Sequence, residues 1–167
     1  MPYGGPCFSR DVGALVATGA HYGIDVPIAN AAASTNHSLQ DAIVASLKSS
    51  TSVGGTIAII GLAFRNNTDV TVGSPAIEIA ERLARDGYQI RAWDPLARPT
   101  VGFGVHVAGS MTECLSGADV ALIANDNPRC AEIPPDIRRP DGQPLIVLDY
   151  WRMLDIAGKQ GQLDIRR

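Results

Sequence analysis

Apolar positions follow two different regimes along this chain. Up to residue 48 they recur at helical spacing, and beyond residue 55 they come in short continuous runs separated by polar loops. In the first regime, Val12, Leu15 and Val16 share one face of a helix predicted over residues 10–22. Gly19 prolongs that face without a side chain, which permits close packing, and Gly23 suits a left-handed helix end. Asp25-Val26-Pro27 has the form of a helix start with proline in the first turn. From there Ile28, Ala32, Leu39, Ile43 and Leu47 lie along one seam over residues 27–48. Asn36 falls on that seam, as a cap, a kink-forming residue or a functional group.

Residues 49–55 form a polar, glycine-containing linker, and the periodicity changes after it. Thr56–Gly61 reads as a strand buried on both faces. A polar loop from Arg65 to Gly73 follows. Ser74-Pro75 is then expected to cap a helix whose apolar face is Ala76, Ile79, Ala80 and Leu83, with Gly87 closing it. Tyr88–Trp93 is a second strand, stopped by Asp94-Pro95, and His106-Val107 ends a short third one. Ser110-Met111-Thr112-Glu113 has the form of a capping box. Asp119–Ala124 and Leu145–Leu148 are two further strands, and the polar tail is expected to fray. Strands alternating with helices imply a parallel sheet. The predicted fold is α/β: an N-terminal helical arm (1–48), a Rossmann-like doubly wound parallel sheet (54–155) and a flexible tail (156–167).

Composition narrows the function classes. Charged residues are 19% and apolar ones 46%, so a core can form and disorder is not expected. A net charge of −3 gives no electrostatic reason for nucleic-acid or anionic-membrane binding. No apolar run reaches the ~18 residues of a membrane span, and no secretory leader pattern opens the chain. The cysteines Cys7, Cys114 and Cys130 are odd in number and lack metal-site spacing, which fits a reducing cytosol and no metal site. His21 and His37 read as packing or surface residues, and Trp93 and Trp151 as core aromatics rather than base-stacking platforms.

The candidate chemistry lies at Gly4-Gly5-Pro6-Cys7-Phe8-Ser9-Arg10-Asp11. Glycines let backbone approach a ligand closely. A helix start favours the thiolate, the nucleophilic form of cysteine. The bland alternative for Cys7 is a small buried residue. At the carboxyl end of the first strand the chain reads Gly61-Leu62-Ala63-Phe64-Arg65-Asn66-Asn67-Thr68-Asp69, which has no GxGxxG. Arg65 there is either a phosphate contact, helped by the helix start at Ser74, or a solvated loop charge.

Three segments, in order, resemble the UDP-glucose/GDP-mannose (nucleotide-sugar) dehydrogenase family. They are the cysteine motif at 4–11, the strand-loop-helix at 57–76, and Trp93-Asp94-Pro95. Asn36 sits where the family has an asparagine in its central helix. The resemblance spans roughly residues 4–155 and implies oxidation of a nucleotide-sugar 6-hydroxyl to a carboxylate with NAD. In that chemistry Cys7 is the nucleophile that passes through a thiohemiacetal and a thioester, and Asp11 assists the hydrolytic water. Arg10 stands where the family has lysine, a swap that keeps the charge but not the geometry. Gly4, Gly5, Phe8, Phe64, Arg65 and Arg152 are the implied substrate contacts, with the nucleotide-sugar as ligand.

The chain also departs from the family. Val72 and Gly73 replace an arginine and a glutamate, and Asp149-Tyr150-Trp151 replaces Asp-Gly-Arg, with Arg152 one place later. The family's N-terminal NAD domain and most of its central domain have no counterpart ahead of Gly4. The lone chain is therefore expected to be inactive, and to be either part of a dehydrogenase or a non-catalytic binding or dimerisation module. Its apolar seam at 27–48 predicts a homodimer, or pairing with a separate NAD-domain chain.

Overall fold

A computed structural model describes residues 1–102, 104–155 and 162–167. Two helices come first, α1 (Phe8–Tyr22) and α2 (Pro27–Ser49). They form a hairpin closed at Gly23, which is left-handed at φ 65°. A Cβ at Gly19 would lie 2.8 Å from the Ile24 carbonyl and 3.1 Å from the Val26 methyls, so this glycine sets how closely the hairpin closes. Pro27 occupies the first turn of α2, but Asp25 provides no side-chain cap.

The α/β part contains β1 (Thr56–Ile60), α3 (Pro75–Arg85), β2 (Gln89–Trp93), β3 (Val105–Val107), α4 (Met111–Leu115), β4 (Val120–Ile123) and β5 (Leu145–Leu148). A short 3₁₀ helix, Pro128–Ala131, lies between β4 and β5. The strands are parallel in the order β3-β2-β1-β4-β5-β6, where β6 is Leu163–Arg166. The predicted α/β class and parallel sheet are what the structure has.

Both faces of the sheet are covered, which is why the central strands are unbroken apolar runs. Ile57 and Ile59 of β1 face α2 and α3, in a core with Ile43, Leu47, Ile79 and Leu83. Ala58 and Ile60 face the other way, toward Cys114, Leu115 and Cys130. The seam along α2 divides. Its C-terminal end buries Ile43, Val44 and Leu47 in the first core, whereas Ile28 is 85% exposed. Lys48 and Asp86 pair at 2.8 Å where α2 meets the end of α3.

Two expectations are corrected. The tail predicted to be flexible contains β6, whose residues Leu163 to Arg166 pair in parallel with Leu145 to Leu148 of β5. Leu163 is buried in the second core, which holds the strand in place. Residues 156–161, also assigned to that tail, lie outside the described residues. Ser74 stands at the N-cap of α3, but its hydroxyl makes no capping bond and is buried without a partner. Ser110 does cap α4, accepting from the Glu113 N–H at 3.1 Å.

Candidate functional site

From β1 the chain moves outward to β2 and β3, then returns to β4 on the other side of β1. Strand order therefore reverses between β1 and β4, and open α/β sheets bind ligands at the carboxyl ends of strands beside such a reversal. A cavity of about 310 Å³ opens there. Its walls are Ala63, Phe64 and Arg65 after β1, Ser74 and Pro75 at the start of α3, Ala124 after β4 and Trp151 after β5. The N-terminal strap, Met1 to Gly4, closes the remaining side.

Buried polar groups fix the floor. The Asp94 carboxylate accepts from the N–H groups of Leu62 and Ala63 at 2.7 and 3.0 Å. It also accepts from those of Leu96 and Ala97, both at 2.7 Å. One side chain at the end of β2 thus shapes the loop after β1. Asn125, after β4, donates to the Ala63 carbonyl at 2.9 Å and accepts from the Asn127 N–H at 2.8 Å. Gly61 is left-handed at φ 93°, and a Cβ there would fall 2.3 Å from the Asn125 Cβ. The sequence marks Asp94 as a strand stop and as part of a family-like motif, but neither it nor Asn125 is among the residues expected to shape the site. The one signal was the Asp-Pro turn.

The NAD that the resemblance implies does not fit these residues. The close approach that Gly61 allows is taken by Asn125. The N–H groups of Leu62 and Ala63, just beyond it, are given to Asp94. The described loop therefore offers no backbone cradle for a dinucleotide pyrophosphate.

Phe64 and Arg65 meet in the cavity, the Arg65 guanidinium carbon lying 5.3 Å from the Phe64 ring centre. Arg65 is exposed and pairs with no carboxylate among the described residues. Gly4 and Gly5 do permit a close approach, but to protein. A Cβ on Gly4 would lie 2.4 Å from the Gly73 carbonyl, and one on Gly5 would lie 2.6 Å from the Phe64 ring. The Gly5 N–H donates to the Gly73 carbonyl at 2.9 Å. Gly4 lines the cavity and Gly5 lies behind Phe64.

The strap leads directly to Cys7, which is exposed at the N-cap of α1. Cys7, Phe8 and Asp11 border a second, shallower cavity of about 290 Å³. Arg10 pairs with Asp11 at the surface, its Nε donating to Oδ1 at 2.8 Å. That bond, and then the Asp11 charge, raise the Arg10 pKa further. Cys7 is not in the cavity of Phe64 and Arg65. The two cavities meet through Tyr3 and Phe8, one ring on each, with centres 5.3 Å apart.

Arg152 is not brought in. It is exposed at φ 57° and does not line the cavity. Trp151 lines it instead and is 41% exposed, contrary to the expectation of a core aromatic. Trp93, 6% exposed, is one. Cys114 and Cys130 are buried, which pushes both thiols up to about 12. Among the described residues no cluster of three or more His, Cys, Asp or Glu side chains is arranged to hold a metal. No helix among them is long and apolar enough to cross a membrane.

Residues 58–156 match the profile of the UDP-glucose/GDP-mannose dehydrogenase family, UDP binding domain. The UDP-glucose 6-dehydrogenase YwqF of Bacillus subtilis is 33% identical over 132 residues, covering 74% of this chain and 30% of that protein. TuaD, a UDP-glucose 6-dehydrogenase of the same organism, is 30% identical over 137 residues, covering 78% of this chain and again 30% of that protein. The chain thus spans under a third of these relatives. In fold it is similar to a UDP-glucose dehydrogenase from Pyrobaculum islandicum, with a TM-score of 0.78 at 23% identity over 92% of this chain and 36% of that one. The profile match takes in the end of β1 and all of β2 to β5, the strands that carry the cavity's loops, and on that ground this chain belongs to the UDP-glucose/GDP-mannose dehydrogenase family.

Proposed function

We propose that the chain is the nucleotide-sugar-binding part of a nucleotide-sugar 6-dehydrogenase, and that Cys7 is its covalent nucleophile. The observation that carries this reading is the continuous strap from the switch-point cavity to Cys7. It joins a place for a nucleotide to a thiol within seven residues. Arg65 meets a phosphate. The sugar runs past Tyr3 and Phe8, so that its C6 reaches the Cys7 sulfur. The thiolate adds to an aldehyde carbon at C6 as a thiohemiacetal. When a C6 acyl group is held as a thioester, Asp11 accepts a proton from water attacking the acyl carbon, and Cys7 leaves as thiolate. Arg10 holds the Asp11 carboxylate and must release or share it for that step.

The hydride steps are not assigned to these residues, because the described loop does not fit NAD. NAD would be held by other protein, either further sequence or a separate NAD-domain chain. The exposed apolar face of the α1–α2 hairpin, with Leu15 54% and Ile28 85% exposed, is where such a partner or a second copy would dock. That same face favours a second reading, a binding or dimerisation module without chemistry. The working compartment in the first reading is the cytosol, in supply of sugar acids for polysaccharide synthesis.

Calorimetry with UDP-glucose and GDP-mannose tests the binding. The expected result is saturable binding to at least one of them, lost in Arg65→Ala. No binding at millimolar ligand sinks the reading. The purified chain with NAD and either sugar is expected to form no NADH, and NADH formation would refute its dependence on other protein.

A further inference from the structure

The switch-point cavity holds its polar groups at one end, beside Phe64, and an indole at the other. At the β1 side are Arg65 and the buried Ser74 hydroxyl, the first paired with no carboxylate and the second with no partner among the described residues. Ser74 also marks the amino end of the 11-residue helix α3, where an anion is favoured. At the β5 side is Trp151, whose indole N–H bonds to no described residue. We infer that Trp151 is the platform on which the base of the bound nucleotide stacks, and so the residue that separates a nucleotide from a bare diphosphate. The inference rests on the nucleotide reading of this cavity.

Three observations carry it. The first is that Trp151 sits on a fixed turn. Asp149, with no solvent exposure, accepts from the N–H groups of Met153 and Leu154 at 3.1 and 2.8 Å. Its carbonyl accepts from the Arg152 N–H at 3.3 Å. A preorganised aromatic face loses little freedom when a ring stacks on it. The second is the spacing. β4 lies between β1 and β5, so Trp151 and Arg65 follow strands two spacings apart, roughly 9–10 Å. That is the scale of a nucleoside measured from its ring, across the ribose, to its phosphates. The third is the place of Arg152. It has a left-handed backbone, φ 57°, and does not line the cavity, so that of the two neighbours the indole is the group presented there. Stacking tolerates any base, so Trp151 selects for a base without choosing which one.

The test uses the full chain with UDP, GDP and inorganic pyrophosphate as probes, in wild type, Trp151→Ala and Trp151→Phe. Circular dichroism checks that each variant is folded. The expected result is that Trp151→Ala weakens UDP and GDP roughly ten- to a hundredfold, the range for a lost base–aromatic stack. It should leave pyrophosphate within about twofold, since phosphate contacts come from the other end of the cavity. Trp151→Phe should recover most of the nucleotide affinity. UDP should also quench indole fluorescence in wild type and not in Trp151→Ala, where buried Trp93 is the only indole left. Unchanged nucleotide affinity in Trp151→Ala would overturn the inference while leaving the nucleotide reading intact. So would equal losses for UDP and pyrophosphate, or a loss confined to UDP-glucose with UDP unaffected, which would put the sugar on the indole. If wild type binds pyrophosphate but neither nucleotide, the nucleotide reading itself fails and the inference falls with it.

Discussion

Asn36 and Tyr3 exchange two hydrogen bonds. The Tyr3 N–H donates to the Asn36 Oδ1 at 2.8 Å, and the Asn36 Nδ2 donates to the Tyr3 carbonyl at 3.0 Å. A side chain on α2 thus satisfies both polar groups of one residue in the strap, as a neighbouring strand would. Asn36 is 8% exposed, so water does not readily replace it. Asn36→Ala is expected to cost about 1–3 kcal/mol, because it leaves the part-buried N–H and carbonyl of Tyr3 unpaired. Urea unfolding measures the cost. Hydrogen exchange should show faster exchange at residues 3–8 and little change in β1.

Gly73 is left-handed at φ 65°, and a Cβ there would come within 2.8 Å of the Gly5 carbonyl. Restoring the glutamate common in the family, Gly73→Glu, should therefore destabilise this chain, by about 1–2 kcal/mol from the backbone alone. It should also lift the strap and weaken any ligand held in the cavity. A thermal melt at or above the wild-type midpoint would contradict this.

The three thiols should react in two classes. Cys7 is exposed, while Cys114 and Cys130 are buried with thiols pushed up to about 12 by desolvation. At about pH 8, a disulfide reagent should label one thiol quickly in the native chain and all three after denaturation. Cys7→Ser should remove the fast phase. A fast phase that persists would place the reactive thiol elsewhere.

Lys48 lowers the pKa of Asp86 below its ordinary 3.8, mainly through their hydrogen bond. The sign follows from linkage: the pair contributes to stability above pH 3.8, and the contribution is lost as pH falls through the folded value. Lys48→Met should move the Asp86 carboxyl titration, followed by NMR, back up toward its ordinary value. No movement would mean the pair is not formed in solution.

The α/β core was legible because its strands are short aliphatic runs between turn residues, the pattern of strands in a sheet covered on both faces. The sixth strand was not. Leu163-Asp164-Ile165-Arg166 is four residues long and half charged, and it follows a polar stretch. Its place is decided by Leu163 entering a core built from distant sequence. The cysteine strap and the Phe64-Arg65 pair were legible as motifs. What each glycine approaches was not, because Gly5 and Phe64 are 59 positions apart, counted from 5 to 64. Ser74 looked like a cap because its position is that of one. Only the fold shows its hydroxyl unused. Trp151 and Arg152 are adjacent in sequence, and it is the left-handed φ at Arg152, with the turn around it, that goes with the indole rather than the guanidinium lining the cavity.

β6 also bears on how the molecule avoids its own kind. Without it, the backbone of β5 would lie bare along four aliphatic residues, Leu145 to Leu148. Such a margin is a template for another molecule's strand, and so for aggregation. With β6 in place, the outermost strand carries Asp164 and Arg166, paired at 2.7 Å and both substantially in solvent. A charged, four-residue margin is a poor template. β6 is therefore a cover over the β5 margin, and removing Leu163 to Arg166 would be felt first as clumping and only later at the cavity.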